Sequence, residues 1–533
     1  MSAFGKTNST FVAVLLVTSI LSPKNGAAEV APYGSWASPH SAADIFAGAD
    51  YVSELFADGK QLYFIEKRAS ANGRNVLVRL GKDNAVELLT DSEISVRSRV
   101  HEYGGRPFVA AGDDVYFSQF SDQKIYRQTG AGKPQAMTGD GLRYMECVVD
   151  RRHAQLICVR EDHREAGEAV NTLVGLDLAT GVEKILFSGT DFVRTPELSP
   201  DGRSVAFITW SHPNMRWDDT ELRIVTLEED GSARSVAEVP QQGGVSFKDP
   251  KYAPDGTLYF IADFNNWWTL YRLDHDGRPA LVLDEQLEMQ SFGFEHDSAA
   301  IITYQSDGFA YVARVDLTTG DMVNIGEQLS SADSVTVASD AVYFRGASPS
   351  SQESIYKVTD DDFEKIYEPA GPRIAAKHRS KPMYCAFPTG DGEEAYGFFY
   401  PPRNAGFQGE EDSLPPLIVE VHGGPVSKTT SKLEPEIQFW TSRGFAVFDV
   451  NHRGSTGYGR EFRKKLYPNW GIVDLEDAAN GVKWLADNGY IDPDRVAIRG
   501  GSAGGYTTLG AMAFMDTFKA GASYYGVSDL EIL

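Results

Sequence analysis

The segment "RVAIRGGSAGGYTTLGAM", Arg495 to Met512, sets one serine among small residues: Gly500, Gly501, Ser502, Ala503 and Gly504. An apolar stretch precedes it and a stretch suited to a helix follows. A serine at the apex of such a strand-to-helix turn presents its hydroxyl to a carbonyl carbon, and only small neighbours fit the strained turn. The pentapeptide alone is a weak signal, and its setting is what strengthens it. A second candidate, His422-Gly423-Gly424-Pro425, also follows an apolar stretch. Glycines there let backbone N–H groups approach the oxyanion that a serine's attack creates. The expected donors are the N–H of Ala503 and one N–H of this loop. His422 is read as a brace for the loop in preference to a base. A third stretch, "NHRGSTGYGREF" from Asn451 to Phe462, lacks the lysine and spacing of a phosphate-binding loop. It reads as shaping the site's rim, with Arg453 near the pocket.

A serine hydroxyl is a poor nucleophile unless a base takes its proton. Every histidine precedes Ser502, the last being His452, and Asp516 and Asp529 are the only aspartates after it. The expectation is a chain that lacks its acid–base partners: a fragment, inactive as it stands.

The elements that must hold these residues follow from hydrophobic patterning. "YCAFPTGDGEEAYGFFYPPRN" reads as a two-stranded hairpin, and "LPPLIVEVHGGP" contains a strand apolar on both faces. "FWTSRGFAVFDVNHRG" supplies a helix and a strand, and "DLEDAANGVKWLADNGYI" a helix with Gly489 near its end. "DRVAIRGGSAGG" and "AGASYYGVSDL" give further strands. Strands alternating with helices predict a parallel, doubly wound sheet.

Upstream, from Tyr51 to about residue 370, a loose unit recurs. Its turn is rich in Asp and Gly, as in "ADGKQLYFIEK", "AGDDVYFSQF", "SPDGRSVAFITW" and "APDGTLYFIAD". Partner strands recur too, as in "TLVGLDLATG", "TLYRLDHDG" and "YVARVDLTTG". Seven such units predict a propeller of four-stranded blades, with a β-sandwich array as the alternative.

Composition narrows the partners. Seventy-five acidic against fifty basic residues give a net charge of −25, which repels phosphate backbones and anionic lipid, so neither nucleic acid nor a membrane is an expected partner. The three cysteines, Cys147, Cys158 and Cys385, form no disulfide framework and no zinc spacing. Cys147 and Cys158 are read as free thiols in preference to a bridge. The apolar run "FVAVLLVTSIL", Phe11 to Leu21, is too short to span a bilayer and matches the core of a leader peptide. Residues 1–28 are expected to direct secretion or organelle import, with a cytoplasmic chain as the alternative.

Taken together, "HGGP", "NHRGSTGYGREF", "DPDRVAIRGGSAGGYTT" and "YGVSDL" resemble the prolyl oligopeptidase family of serine peptidases. The resemblance is nearest to the branch of acylaminoacyl peptidases and dipeptidyl aminopeptidases. "APYGSWASP", "RVHEYGG", "QLICVREDH" and "HPNMRWDDTELRIV" look like that branch's propeller. The resemblance implies that Ser502 is the nucleophile, that Gly424 and Ala503 supply oxyanion donors, and that Tyr525 and Gly526 lie near the substrate pocket. His452 stands where many relatives carry tyrosine, and the glutamate pair that fixes a free amino terminus in some relatives is not evident.

The reading is therefore a β plus α/β chain: a seven-bladed β-propeller over residues 51–370 and a C-terminally incomplete α/β-hydrolase domain over 380–533. Residues 29–50 are expected to join the latter. The implied activity is hydrolysis of short oligopeptides through an acyl-enzyme, with the propeller limiting substrate size and no metal or organic cofactor. A serine esterase and a non-catalytic propeller binding protein are the alternatives.

Overall fold

A computed structural model describes residues 28–46 and 48–530. The leader expected over residues 1–28 lies, but for its last residue, outside them. Among the described residues no helix is long and apolar enough to cross a membrane.

Seven four-stranded sheets follow one another along the chain, from Tyr51–Asp58 to Phe363–Tyr367. Each is built from four consecutive strands in antiparallel order, so each is one blade of a propeller. The repeated Asp-Gly turns explain the hairpins. Gly59, Gly202 and Gly256 hold φ of 57°, 69° and 90°, a region that a Cβ disfavours. The second strand of a blade is buried on both faces, as in Gln61–Arg68, because neighbouring blades sandwich it. The outermost strand, as in Ala233–Glu238, is largely exposed. Blade 7 meets blade 1 without sharing a strand. The contact is made by Arg345 Nη1 donating to Val52 O (3.0 Å), Ser339 N donating to Gly59 O (2.7 Å) and a Lys60–Asp340 ion pair (2.9 Å).

Within this ring the structure corrects the cysteine reading. Cys147 and Cys158 are joined as a disulfide across the first two strands of blade 3, with Cα atoms 4.1 Å apart. A bulge between Met145 and Val148 shifts the register at Cys147. The alternating pattern carries no sign of that bulge, so the pairing is not readable from spacing. Similar bulges interrupt the innermost strands of blades 1, 4, 5 and 7, with Glu54, Thr195, Asp249 and Ser334 at positive φ.

Among the described residues the second domain is built on one six-stranded sheet. Its strands are β1 (Met383–Pro388), β2 (Glu394–Tyr400), β3 (Leu417–Val421), β4 (Ala446–Asn451), β5 (Val496–Gly501) and β6 (Ala520–Tyr524). The spatial order is β1-β2-β4-β3-β5-β6, with β3 parallel to both β4 and β5, and β6 parallel to β5. The helices are α1 (Pro435–Thr441), α2 (Gly459–Lys464), α3 (Val473–Asp487) and α4 (Ala503–Phe514). Helix α3 buries Ala478, Val482 and Leu485 against Phe387, Val419 and Phe448 of the sheet. Gly481 makes that approach possible, since a methyl there would strike the Phe448 ring. The segment ahead of the propeller belongs to this body: Glu29–Val30 pairs in parallel with Phe407–Gln408, and Trp36 stacks on Phe407.

Candidate active site

Ser502 stands between the end of β5 and the first turn of α4, with φ 54° and ψ −120°. A non-glycine residue is seldom held there, and neighbours must over-determine the turn. Ser502 N donates to Tyr524 O of β6 (3.0 Å), and Ser502 O accepts from Tyr506 N (3.1 Å) and Val527 N (3.3 Å). The flanking glycines are required by contact. A methyl on Gly500 would overlap Gly504 O, and one on Gly504 would overlap the Val421 carbonyl at the end of β3. Beneath the turn, Asp474 of α3 accepts from Thr507 of α4 (2.5 Å) and from Gly471 N (2.7 Å), fixing the two helices together.

The His422–Pro425 loop lies directly against this turn. A Cβ on Gly423 would sit 3.4 Å from Ser502 Cβ and 3.1 Å from Gly501 O. Gly424 has φ 140°. Neither its N–H nor that of Ala503, the first residue of α4, donates to a described residue. Unpaired N–H groups at a helix start, beside a hydroxyl, form an anion cradle. The Ser502 hydroxyl likewise makes no hydrogen bond to a described residue.

His422 is committed on both ring nitrogens. Nδ1 lies 2.9 Å from Gly423 O and Nε2 2.9 Å from Ser455 Oγ, so Nδ1 carries the proton and Nε2 accepts from the hydroxyl. Its ring stacks on His452 at 4.7 Å, and His452 Nδ1 lies 2.8 Å from Arg453 O. Burial pushes His422 down to about 3, with His452 adding to the effect, and pushes His452 down to about 4. Both rings are neutral at pH 7, and neither contacts Ser502.

Arg453 corrects an expectation. Its side chain is buried against α3: Nε donates to Asp477 Oδ1 (3.0 Å), Nη2 pairs with Asp477 Oδ1 (2.9 Å), and Glu476 takes a further bond. Asp477 Oδ2 also accepts from Arg453 N (2.6 Å). A guanidinium 3% exposed must be met by carboxylates, and α3 supplies them in adjacent positions. Arg453 thus ties the Asn451–Phe462 loop to α3. The end of that loop is helical as α2. It docks on the propeller through Arg463–Asp263 and through Gly459 N donating to Glu288 Oε1 (2.8 Å). Asp263, Glu288, Glu476 and Asp477 escape sequence reading, because each carboxylate has no visible role until the fold supplies its partner. Tyr525 and Gly526 do flank the turn. A Cβ on Gly501 would meet the Tyr525 hydroxyl, and Gly505 abuts Gly526. Tyr525 is 86% exposed.

A propeller in series with an α/β sheet, antiparallel at β1-β2-β4 and parallel through β4-β3-β5-β6, whose strand-to-helix turn bears a serine, is the architecture of propeller-capped hydrolases. Comparison with known proteins is specific within that class. The model of the prolyl oligopeptidase family matches residues 431–532. A puromycin-hydrolyzing peptidase of Mycobacterium tuberculosis superposes with a TM-score of 0.90 at 31% identity, over 94% of this chain and 81% of that one. A puromycin hydrolase gives 0.88 at 30% over the same shares. The dipeptidyl aminopeptidase BIII of Pseudoxanthomonas mexicana is 34% identical over 164 residues, 30% of this chain and 24% of that protein. The chain belongs to the prolyl oligopeptidase family. It spans about a quarter of the length of that curated relative.

Proposed function

We propose that this chain carries the nucleophile of a serine-type peptidase acting on short oligopeptides through an acyl-enzyme. The observation that carries the reading is Ser502 at φ 54° on the β5–α4 turn, with Gly423 against its side chain. Ser502 Oγ bonds to the peptide carbonyl carbon, and the oxyanion accepts from the N–H groups of Gly424 and Ala503. Loss of one such donor costs about 2.7–4 kcal/mol of transition-state stabilisation. The C–N bond breaks as the leaving amine takes the proton released from the Ser502 hydroxyl, and water then cleaves the Ser502 ester, giving the free acid and restoring the hydroxyl. Tyr525 and Gly526 border the pocket for the acyl residue. Support comes from the relatives at 30–31% identity, a puromycin hydrolase and a puromycin-hydrolyzing peptidase, and from the former solved as a serine-to-alanine variant with PGG bound.

The general base is the open part of the site. His422 and His452 are committed elsewhere, so the base and its aspartate are proposed to come from outside the described residues. Oxyanion donors and binding without a triad leave roughly 10³–10⁴-fold acceleration over water. We further propose export or organelle import, which the leader pattern and the Cys147–Cys158 disulfide favour. The test is turnover of a dipeptidyl amide and the matching ester, with Ser502→Ala beside the wild type. The peptidase reading expects both substrates to be cleaved, and more slowly by the variant, which keeps only the acceleration due to oxyanion donors and binding. Cleavage of the ester alone indicates an esterase, and cleavage of neither indicates the binding protein.

A further inference from the structure

The two domains enclose a cavity of about 400 Å³ beside the His422–Pro425 loop. Blades 4 and 5 contribute Arg194, Arg216, Lys248 and Trp268 to its wall, and the hydrolase domain contributes Ser427 and Lys428. The charged residues lining it are Arg194, Arg216, Lys248 and Lys428; none is a carboxylate. In a chain with 75 acidic and 50 basic residues this is a pronounced local departure. The contrast is sharp across Ser427 and Lys428, since the cavity on their other side is lined by Asp333, Glu353, Glu420, Glu434, Glu436 and Asp449.

The cations of the first cavity are unevenly compensated: the buried Glu288 carboxylate acts on both Lys248 and Lys428, and Glu146 on Arg194, without a direct ion pair to either lysine. Arg194 is paired with Glu146 (2.5 Å). Lys248 Nζ donates to Met289 O (2.5 Å) and lies 4.0 Å from the Trp268 ring centre. Lys428 donates to the Gln305 side-chain oxygen. Among the described residues neither lysine has an ion-pair partner, and the Arg216 guanidinium has neither an ion pair nor a hydrogen bond. It lies 6.0 Å from the centre of the Trp217 ring. Independently, Trp268, 7% exposed, has an indole N–H with no acceptor, and Thr195 Oγ1 is likewise buried without a partner. A buried donor without an acceptor is costly and rare. The backbone of Arg216 is anchored by Ser246 Oγ donating to its carbonyl (3.1 Å), and Trp217 Nε1 reaches Tyr467 OH of the hydrolase domain (3.3 Å). The segment "HPNMRWDD" is thus fixed at the domain boundary, and no carboxylate is among the residues lining the cavity it walls.

We propose that this cavity is a carboxylate subsite, with Arg216 as its principal ligand, which selects peptides carrying an acidic group close to the cleaved bond. The proposal rests on the peptidase reading and names the substrate class for that site. The reach follows from the chain. Gly423 abuts Ser502, and Val426, three residues on, lines the cavity. Three residues span at most about 11 Å, so the wall of the cavity at Val426 lies within reach of a peptide residue next to the scissile carbonyl, and the proposed carboxylate is placed a few residues from it. Either a free C-terminal carboxylate or an acidic side chain meets that description, while the tryptophans supply an apolar wall for the adjoining residue.

The test uses the full chain carrying Ser502→Ala, titrated by tryptophan fluorescence with three probes: Ala-Ala-Phe as free acid, its C-terminal amide, and the amide of Ala-Ala-Asp. The free acid is expected to bind about 10- to 100-fold more tightly than its amide, the range for a hydrogen bond to a charged group. Arg216→Gln is expected to abolish that difference while leaving the amide's affinity unchanged, and Arg216→Lys to restore part of it. Rescue of binding by the aspartyl amide assigns the subsite to side chains as well as to C termini. Equal affinity of acid and amide, absence of binding by all three probes, or an equal loss for acid and amide in Arg216→Gln overturns the proposal. Because Arg216 is on an exposed loop, its variants should keep the wild-type unfolding midpoint, which excludes misfolding as the cause. Failure of the peptidase reading is scored separately by covalent labelling of Ser502 in the unsubstituted chain. A carboxylate preference without labelling retains the subsite and removes the peptidase.

Discussion

Acidification should destabilise this protein through two buried imidazoles before most carboxylates titrate. His422 and His452 stack at 4.7 Å, and burial lowers them to about 3 and about 4. An unfolded histidine titrates near 6.5. As pH falls below about 6.5, the unfolded chain therefore takes up protons that the folded chain refuses. The stability held by the pair is complete above that value and is lost progressively down to about 4 for His452 and about 3 for His422. A pH of 5 lies about 1.5 units below the unfolded value, which corresponds to about 2 kcal/mol per ring and about 4 kcal/mol for the pair. The assay is urea unfolding at pH 7.5 and pH 5 for the wild type and for His422→Gln/His452→Gln, read by a probe in the hydrolase domain. The wild type should lose about 4 kcal/mol more than the double variant over that interval. Ring resonances followed by NMR provide the direct check. Equal losses in the two proteins, or either ring titrating near 6.5, would refute the claim that the loop is braced by neutral histidines.

Other outcomes follow from single contacts. Gly504→Ala should prevent the β5–α4 turn from closing, because its methyl meets the Val421 and His422 carbonyl oxygens, and should greatly reduce the yield of folded protein compared with Gly59→Ala in an open turn. Asp477→Ala should cost about 3 kcal/mol by leaving buried Arg453 with Glu476 as its remaining carboxylate, while the pairwise replacement Arg453→Met/Asp477→Leu should recover much of that loss. Denatured without reductant, the chain should titrate one thiol, Cys385, and three after reduction; Cys147→Ser/Cys158→Ser should lower stability by about 3 kcal/mol.

The repeats and the strand–helix alternation made the fold legible because each rests on a local pattern. Asp-Gly turns flanked by alternating aromatics can form little besides hairpins, and the apolar run Leu417–Val421 requires a sheet covered on both faces. Ser502 and its glycines were legible for the same reason, since the strained turn dictates its own neighbours. What escaped were pairings made at a distance. Arg453 looked like a pocket residue because its partners, Glu476 and Asp477, lie on a helix the loop meets only in three dimensions. Cys147 and Cys158 looked unpaired because a bulge sets their register. The cationic cavity gathers Arg216, Lys248 and Lys428 from three separate segments, and no composition window contains them together.

The central claim is that Ser502 reacts at a carbonyl or phosphonyl centre, with its base and aspartate coming from outside the described residues. It is tested most directly by exposing the full chain to a fluorophosphonate, with and without imidazole in the buffer, and mapping the adduct by mass spectrometry. The account predicts slow modification confined to Ser502, faster with imidazole standing in for the missing base, and absent from Ser502→Ala. No adduct at Ser502 even with imidazole present would contradict it.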